Sequence, residues 1–269
     1  MVKDLKAQVQ WEEIDALLDS LSVSPWDKDD LKQMVLDASF KWLDEDLALG
    51  RIEFVEEKWR ATKYANGLVL PIPMAGTADL ILKGGKRVID WKTAGTLDQE
   101  WATKMRLSWQ WKIYLWRYPD AEEFCYRGIK RDGSTRVVEL KRYPSLEAEV
   151  DLYLAGVQAQ FNGLHDQRSA LPIWPRKQPG ACKAFGRPCP YLEGCWNDGG
   201  SDPGAAKVDE LHYTTTELLL LCPERFRRGS RVGGDAEGSA ATRFGTHFHT
   251  LMAAIYRQFA EPENLLNFS

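Results

Sequence analysis

A chain of 269 residues, 44% hydrophobic and 28% charged, has the balance of a soluble globular protein and can bury a substantial core, as one large domain or two small ones. Its net charge of -4 gives no sign of a nucleic-acid partner, although a local basic channel would be enough for one. No apolar run is long enough to cross a bilayer and the start MVKDLKAQVQW is too polar for a secretory signal, so a cytoplasmic protein with no membrane partner is expected. Disulfides are not expected without export, and Cys182, Cys189 and Cys195 fall within fourteen residues, which reads as a metal or cluster site.

In chain order, residues 5–20 and 27–49 read as helices, the second started by Pro25 and Asp27 and apolar at Leu31, Met34, Val35, Ala38 and Trp42. Strands are predicted over 52–60 and over 67–73, the latter edged by prolines. A hairpin around Gly84-Gly85 follows. Residues 98–117 read as one long helix with Arg106, Gln110, Tyr114 and Arg117 along one stripe. A second hairpin turns at Asp132-Gly133, between 122–130 and 135–142, and a helix over 145–163 starts at Ser145. From Leu171 to Cys195 the chain is rich in Pro, Gly and Cys, and NDGGSDPGAAK reads as a linker. The tail carries two helices. One starts near Thr214–Thr216, with a capping box from Thr214 and Glu217, and runs to Cys222; the other covers roughly 240–257.

The first hairpin carries the chemistry. A Gly84-Gly85 loop sets Leu82 opposite Arg87, Ile81 opposite Val88, Leu80 opposite Ile89 and Asp79 opposite Asp90. Asp79, Asp90 and Lys92 then share one face, with Ile89 and Trp91 on the other. Opposed carboxylates repel at about 4.5–5.5 Å between β-carbons and ask for a cation. A hard divalent ion taking carboxylate oxygens, waters and substrate phosphate answers that demand, and Lys92 beside it can position or deprotonate a water. The bland alternative is a solvated strand face with a surface ion pair. It is weakened by the alignment of the two aspartates and by the turn at Thr93-Ala94-Gly95.

Gly-Thr-Ala-Asp79 followed after a short hairpin by Val-Ile-Asp90-Trp-Lys92-Thr resembles the PD-(D/E)XK nuclease superfamily, and its RecB-like exonuclease branch in particular. That branch carries a Gln-x-x-x-Tyr motif on the next helix, matched by Gln110 and Tyr114, whose side chains in the family help hold DNA or the active site. The resemblance implies an accessory acid at Glu56 and, from Gly245-Thr-His-Phe-His249, a metal-binding role for His249, with His247 as a competing choice. It also resembles iron–sulfur nucleases of the branch, as in AddB and CRISPR-associated exonucleases. Cys182, Cys189, Cys195 and Cys222 would then hold a [4Fe–4S] cluster, with zinc as the alternative and Cys125 left as a buried free thiol. The six residues between Cys182 and Cys189 depart from the usual two.

The motif order also departs from the family. Cys222-Pro-x-x-Phe226 and Gly245-x-x-x-His249 normally precede the catalytic hairpin and here follow it. A circular permutation explains this, with the tail completing the site in its own chain; a truncated second copy that completes a neighbouring molecule by domain swapping is the alternative.

The expected architecture is therefore α/β. A mixed central sheet of about four or five strands is flanked by helices, like a restriction endonuclease, and C-terminal helices complete it. Residues 1–197 would form the nuclease core with its Cys-rich end, 198–209 a flexible linker, and 210–269 a helical segment folding back onto the core. The expected activity is a Mg2+- or Mn2+-dependent DNA exonuclease in recombination, repair or phage DNA processing, possessing DNA and a recombination or helicase protein as partners. Asp79, Asp90 and His249 would bind metal, Lys92 would position water, and Arg106, Gln110, Tyr114 and Arg117 would grip DNA. The alternatives are a non-catalytic nucleic-acid-binding module and a site-specific endonuclease on the same scaffold.

Overall fold

The computed structural model describes residues 9–21, 25–49, 52–82, 86–166, 189, 210–221 and 240–260. Helices α1 (Trp11–Ser20) and α2 (Pro25–Leu49) open the chain, followed by strands β1 (Ile52–Lys63), β2 (Val69–Leu82) and β3 (Arg87–Thr93). Then come α3 (Gln99–Leu107), α4 (Gln110–Arg117), β4 (Glu123–Ile129), β5 (Thr135–Lys141) and α5 (Leu146–Asp166). The C-terminal part supplies β6 (Leu211–His212), α6 (Tyr213–Leu221) and α7 (Ala240–Arg257). The strands form one mixed sheet in the order β1-β2-β3-β4-β5, with β6 on β2. The expected α/β class with a mixed, helix-flanked sheet is therefore the observed one. Among the described residues the sheet has a path of five strands, and β6 adds a short parallel pairing at Met74 and Ala75.

The β2–β3 pair is antiparallel in the expected register, Leu80 with Ile89, Ile81 with Val88 and Leu82 with Arg87. Gly84 and Gly85 themselves lie outside the described residues. β3 and β4 are parallel, and α3 and α4 form the crossover that a parallel connection requires. β4 and β5 close antiparallel on the expected Asp132-Gly133 turn, where Gly133 takes φ +79 and Asp132 Oδ1 accepts from Ser134 N.

Two compact units divide the chain, one from residues 1–59, 77–144 and 238–269, the other from 60–76 and 145–237. In the first unit, Leu31, Met34, Val35, Ala38 and Trp42 of α2 are all buried, as their spacing predicts. They share a core with Leu80 and Leu82 of β2, Ile89 and Trp91 of β3, Cys125 and Ile129 of β4, and Phe248, Leu251, Met252, Ile255 and Tyr256 of α7. Strand alternation turns Ile81, Val88, Asp90, Phe124 and Tyr126 to the opposite face. A second device ties three of these elements together. Arg127 of β4 donates from both terminal nitrogens to Asp46 of α2, at 2.5 Å each, and Tyr256 of α7 donates to the same carboxylate at 2.8 Å. All three side chains are buried.

Within the second unit, β2 runs straight through Pro71 and Pro73, where the sequence suggests a shorter strand ending at 73. The proline-bound segment keeps its backbone satisfied through Gln158 of α5, whose side-chain amide both accepts from Ile72 N and donates to Ile72 O. The expected capping box does not form. α6 starts at Tyr213, and Thr216 turns inward to donate to Tyr213 O, with its hydroxyl also 3.3 Å from Tyr153 Oη.

The single helix expected over 98–117 is two helices. Ser108 is extended (φ -66, ψ 141), and its hydroxyl accepts from Gln110 N at 3.1 Å. A serine side chain that offers the backbone a local partner ends one helix and starts the next. The predicted stripe is consequently broken: Arg106 belongs to α3, and Gln110, Tyr114 and Arg117 to α4. Asp98 caps α3 by accepting from Trp101 N at 2.8 Å.

Candidate active site

One step beyond the Leu80–Ile89 pair lie Asp79 and Asp90, and both are buried. Each is held by its own set of partners. Asp79 Oδ2 accepts from the backbone N–H of Trp91 at 2.8 Å, which fixes the carboxylate across the hairpin. His249 Nδ1 lies 3.3 Å from that same oxygen. Asp90 Oδ1 accepts from Gln110 Nε2 at 2.7 Å, and Lys92 Nζ makes an ion-pair contact of 2.7 Å with Oδ2. Both carboxylate oxygens of Asp90 are thus engaged by neighbouring side chains. Burial pushes the Asp90 carboxyl up to about 6; Lys92 opposes the shift and Asp79 adds to it. For Lys92 and His249, burial disfavours the charge, but the neighbouring carboxylates outweigh it and hold both groups above their ordinary values. Lys92 is thereby kept as a cation.

The supports of this site come from three elements. Gln110 opens α4, and its Oε1 lies 3.4 Å from the Tyr126 hydroxyl, so the amide is oriented with its nitrogen toward Asp90. One helical turn on, the Tyr114 hydroxyl donates to the carbonyl of Thr77, two residues before Asp79. Gln110 and Tyr114 therefore clamp the two strands that carry the aspartates, and both are buried. His249 is brought in by α7, where its ring meets Trp91 edge-on with centroids 6.2 Å apart. The approach is close: a β-carbon on Gly245 would come within 2.9 Å of Thr93 Oγ1. The glycine one turn before the histidine thus lets α7 come close to Thr93 of β3, which the Gly-x-x-x-His motif does not by itself explain.

Glu56 is engaged elsewhere. It sits in β1 with φ +53, a left-handed conformation unusual for a non-glycine residue, and accepts from Arg257 Nη2 at 2.8 Å. Arg106 is exposed, and Arg117 is half-buried with its guanidinium 5.3 Å from the Tyr118 ring. Cys182, Cys195 and Cys222 lie outside the described residues; Cys189 is buried with a free thiol, as is Cys125. The Arg127–Asp46–Tyr256 network has no motif in the sequence and only its burial reveals it.

The donor set suits a hard divalent cation: two buried carboxylates and an imidazole beside one of them. Among the described residues no three His, Cys, Asp or Glu side chains stand as a ready-made metal cage. The acids instead rest on Lys92, Gln110 and a backbone N–H, which is compatible with an ion that keeps waters and substrate oxygens among its ligands.

Of three comparisons with known proteins, one is informative about the family. No curated protein matches the chain. A solved structure, "Crystal structure of SSO0001", is 20% identical over 48% of this chain and 58% of its own, with a TM-score of 0.35, too low to decide fold or function. The chain spans less than two thirds of that protein's length. The PD-(D/E)XK nuclease superfamily matches residues 2–195, most of the chain and every part of the site except the C-terminal helix. The chain belongs to the PD-(D/E)XK nuclease superfamily.

Proposed function

We propose that this protein is a metal-dependent deoxyribonuclease of the RecB-like branch, acting as an exonuclease in recombination, repair or phage DNA processing. Membership of a nuclease superfamily already implies nuclease activity with DNA as substrate, and such nucleases typically use Mg2+ or Mn2+. The observation that carries the finer reading is the meeting, in one chain, of Asp79 with His249 and of Asp90 with Lys92 and Gln110.

Asp79, Asp90 and His249 would hold the cation. Bound there, it supplies Lewis-acid stabilisation of charge on the scissile phosphate and acidifies water. Lys92, held as a cation, donates to the attacking water or to a phosphate oxygen and so positions one and offsets the charge of the other. Gln110 keeps the Asp90 carboxylate from rotating, and the Trp91 N–H does the same for Asp79. Arg106 and Arg117 contact the phosphate backbone. The contact between His249 and Asp79 fits the permutation reading, in which the C-terminal helix does in its own chain what an N-terminal one does in relatives. The four-cysteine cluster of Cys182, Cys189, Cys195 and Cys222 rests on the resemblance to iron–sulfur nucleases; a brown protein with visible charge-transfer absorbance supports iron, and a colourless zinc protein overturns it.

The test is cleavage of linear DNA with Mg2+ or Mn2+ by wild type, Asp90→Ala and Lys92→Ala. Wild type alone should degrade the linear substrate and spare closed circles. Equal activity in all three, or in none, rejects the enzyme reading, and cutting of closed circles makes it an endonuclease.

A further inference from the structure

Tyr256 lies outside the candidate active site, yet one ring joins it to His249. The two residues are about two turns apart on α7, so they share a face with a rise of about 10.5 Å between them. The indole of Trp91 fills that interval, its centroid 6.2 Å from the His249 ring and 5.1 Å from the Tyr256 ring. Trp91 and Tyr256 are both fully buried. Trp91 also donates its backbone N–H to Asp79, the carboxylate that His249 Nδ1 approaches at 3.3 Å. The far end of this row is fixed. The Tyr256 hydroxyl donates to Asp46, which also accepts from both terminal nitrogens of Arg127. The next residue, Arg257, donates to Glu56 of β1 at 2.8 Å.

We infer that Tyr256 is a positioning residue of the nuclease site, acting on His249 through the Trp91 ring and so keeping the imidazole on Asp79. The inference rests on the nuclease reading and adds to it a residue remote from the reacting atoms. α7 packs on the Ile89 and Trp91 face of β3, whereas Asp90 and Lys92 project from the other. His249 therefore reaches Asp79 alongside the indole. Its side chain is 27% exposed, so the buried ring beside it has a large share in setting its orientation. In a close-packed interior the indole keeps its tilt only while Tyr256 fills the space behind it. A smaller residue there gives the indole room to turn, and the imidazole turns with it. Outer partners that orient a metal-binding histidine typically carry about 10–100-fold in affinity.

The experiment has two readouts on the full chain, neither of them cleavage. The first is the NMR spectrum of the histidine rings in EDTA, with the His249 signals identified by their loss in His249→Ala. Tyr256→Leu should move them, and Tyr256→Phe, which keeps the ring, should return them to their wild-type positions. His212 of β6, in the second unit, should keep its own. The second readout is Mn2+ affinity without DNA, taken from the EPR signal of the free ion. Tyr256→Leu should weaken it about ten-fold and Tyr256→Phe should hold it near wild type. In His249→Ala, adding Tyr256→Leu should bring no further loss, because the residue through which it acts is gone. Trp91→Phe keeps the backbone donor to Asp79 with a smaller ring, and should weaken Mn2+ binding in the same direction. Val150→Ala, a cavity in the core of the second unit, should lower stability and move neither readout. Unmoved His249 signals in Tyr256→Leu, undiminished Mn2+ affinity in both Tyr256→Leu and Trp91→Phe, or additive losses in the double variant overturn the inference. If the His249 signals respond as expected and wild type binds no Mn2+, the positioning stands and the proposed metal-dependent activity fails.

Discussion

Gln110 shows how one buried amide serves a catalytic acid. It spends its donor on Asp90 and has its acceptor beside Tyr126, so Gln110→Ala leaves a buried carboxylate oxygen without its partner. Such a loss is worth about 1–3 kcal/mol. Steady-state kinetics on linear DNA should therefore show kcat falling about ten-fold or more with little change in KM, since the side chain is buried and not placed to touch DNA; a KM effect alone would assign it to DNA binding. Cys125 offers a test of burial without catalysis. Desolvation pushes its thiol up to about 11 from the ordinary 9, against the pull of Arg127 and Arg87. The unfolded chain ionises first, so the contribution to stability is complete below pH 9 and is lost as pH rises to 11. Denaturant unfolding of wild type should lose about 2–3 kcal/mol more across that window than Cys125→Ala does. Parallel pH curves for the two would show the thiol to be solvated.

At the scale of elements, α7 comes close to β3 at Gly245. Gly245→Ala puts a β-carbon 2.9 Å from Thr93 Oγ1, so the threonine side chain or the helix must give, and a helix that gives carries His249 away from Asp79. Activity should fall strongly in Gly245→Ala and recover in part in the double variant with Thr93→Ala, which removes the obstructing oxygen. Additive losses would mean that the contact does not position the histidine. The same helix is anchored through Tyr256 to Asp46 and Arg127. Asp46→Ala leaves the Arg127 guanidinium buried without its carboxylate and should destabilise the fold by about 3–5 kcal/mol in denaturant unfolding, whereas an exposed acid such as Asp44 should cost far less. The break at Ser108 belongs to this scale too. Helical periodicity runs unbroken through 98–117, and a single hydroxyl accepting from Gln110 N divides it.

For the whole molecule, His249 meets Asp79 within one chain, and on the proposed reading that chain needs no neighbour to complete its site. Mixing Asp90→Ala with His249→Ala protein should then restore no activity at any concentration ratio. Recovery on mixing would mean that α7 crosses between molecules by domain swapping. The sequence by itself determined the α/β class, the Leu80–Ile89 register and the alignment of Asp79 with Asp90, because strand alternation and a two-residue glycine loop are local rules. The resemblance of its motifs to the nuclease family also pointed to Gln110, Tyr114 and His249. Only the tertiary structure decided which partners those three take, since the partners are far apart in the chain: Gln110 with Asp90, Tyr114 with the Thr77 carbonyl, His249 with Asp79. It moved Glu56 to Arg257, divided the long helix, and revealed the Arg127–Asp46–Tyr256 network. The physical reason is the same in each case. Periodicity reports which face of an element is apolar, whereas a polar side chain takes whichever partner packing brings within about 3 Å, and no local pattern encodes that partner.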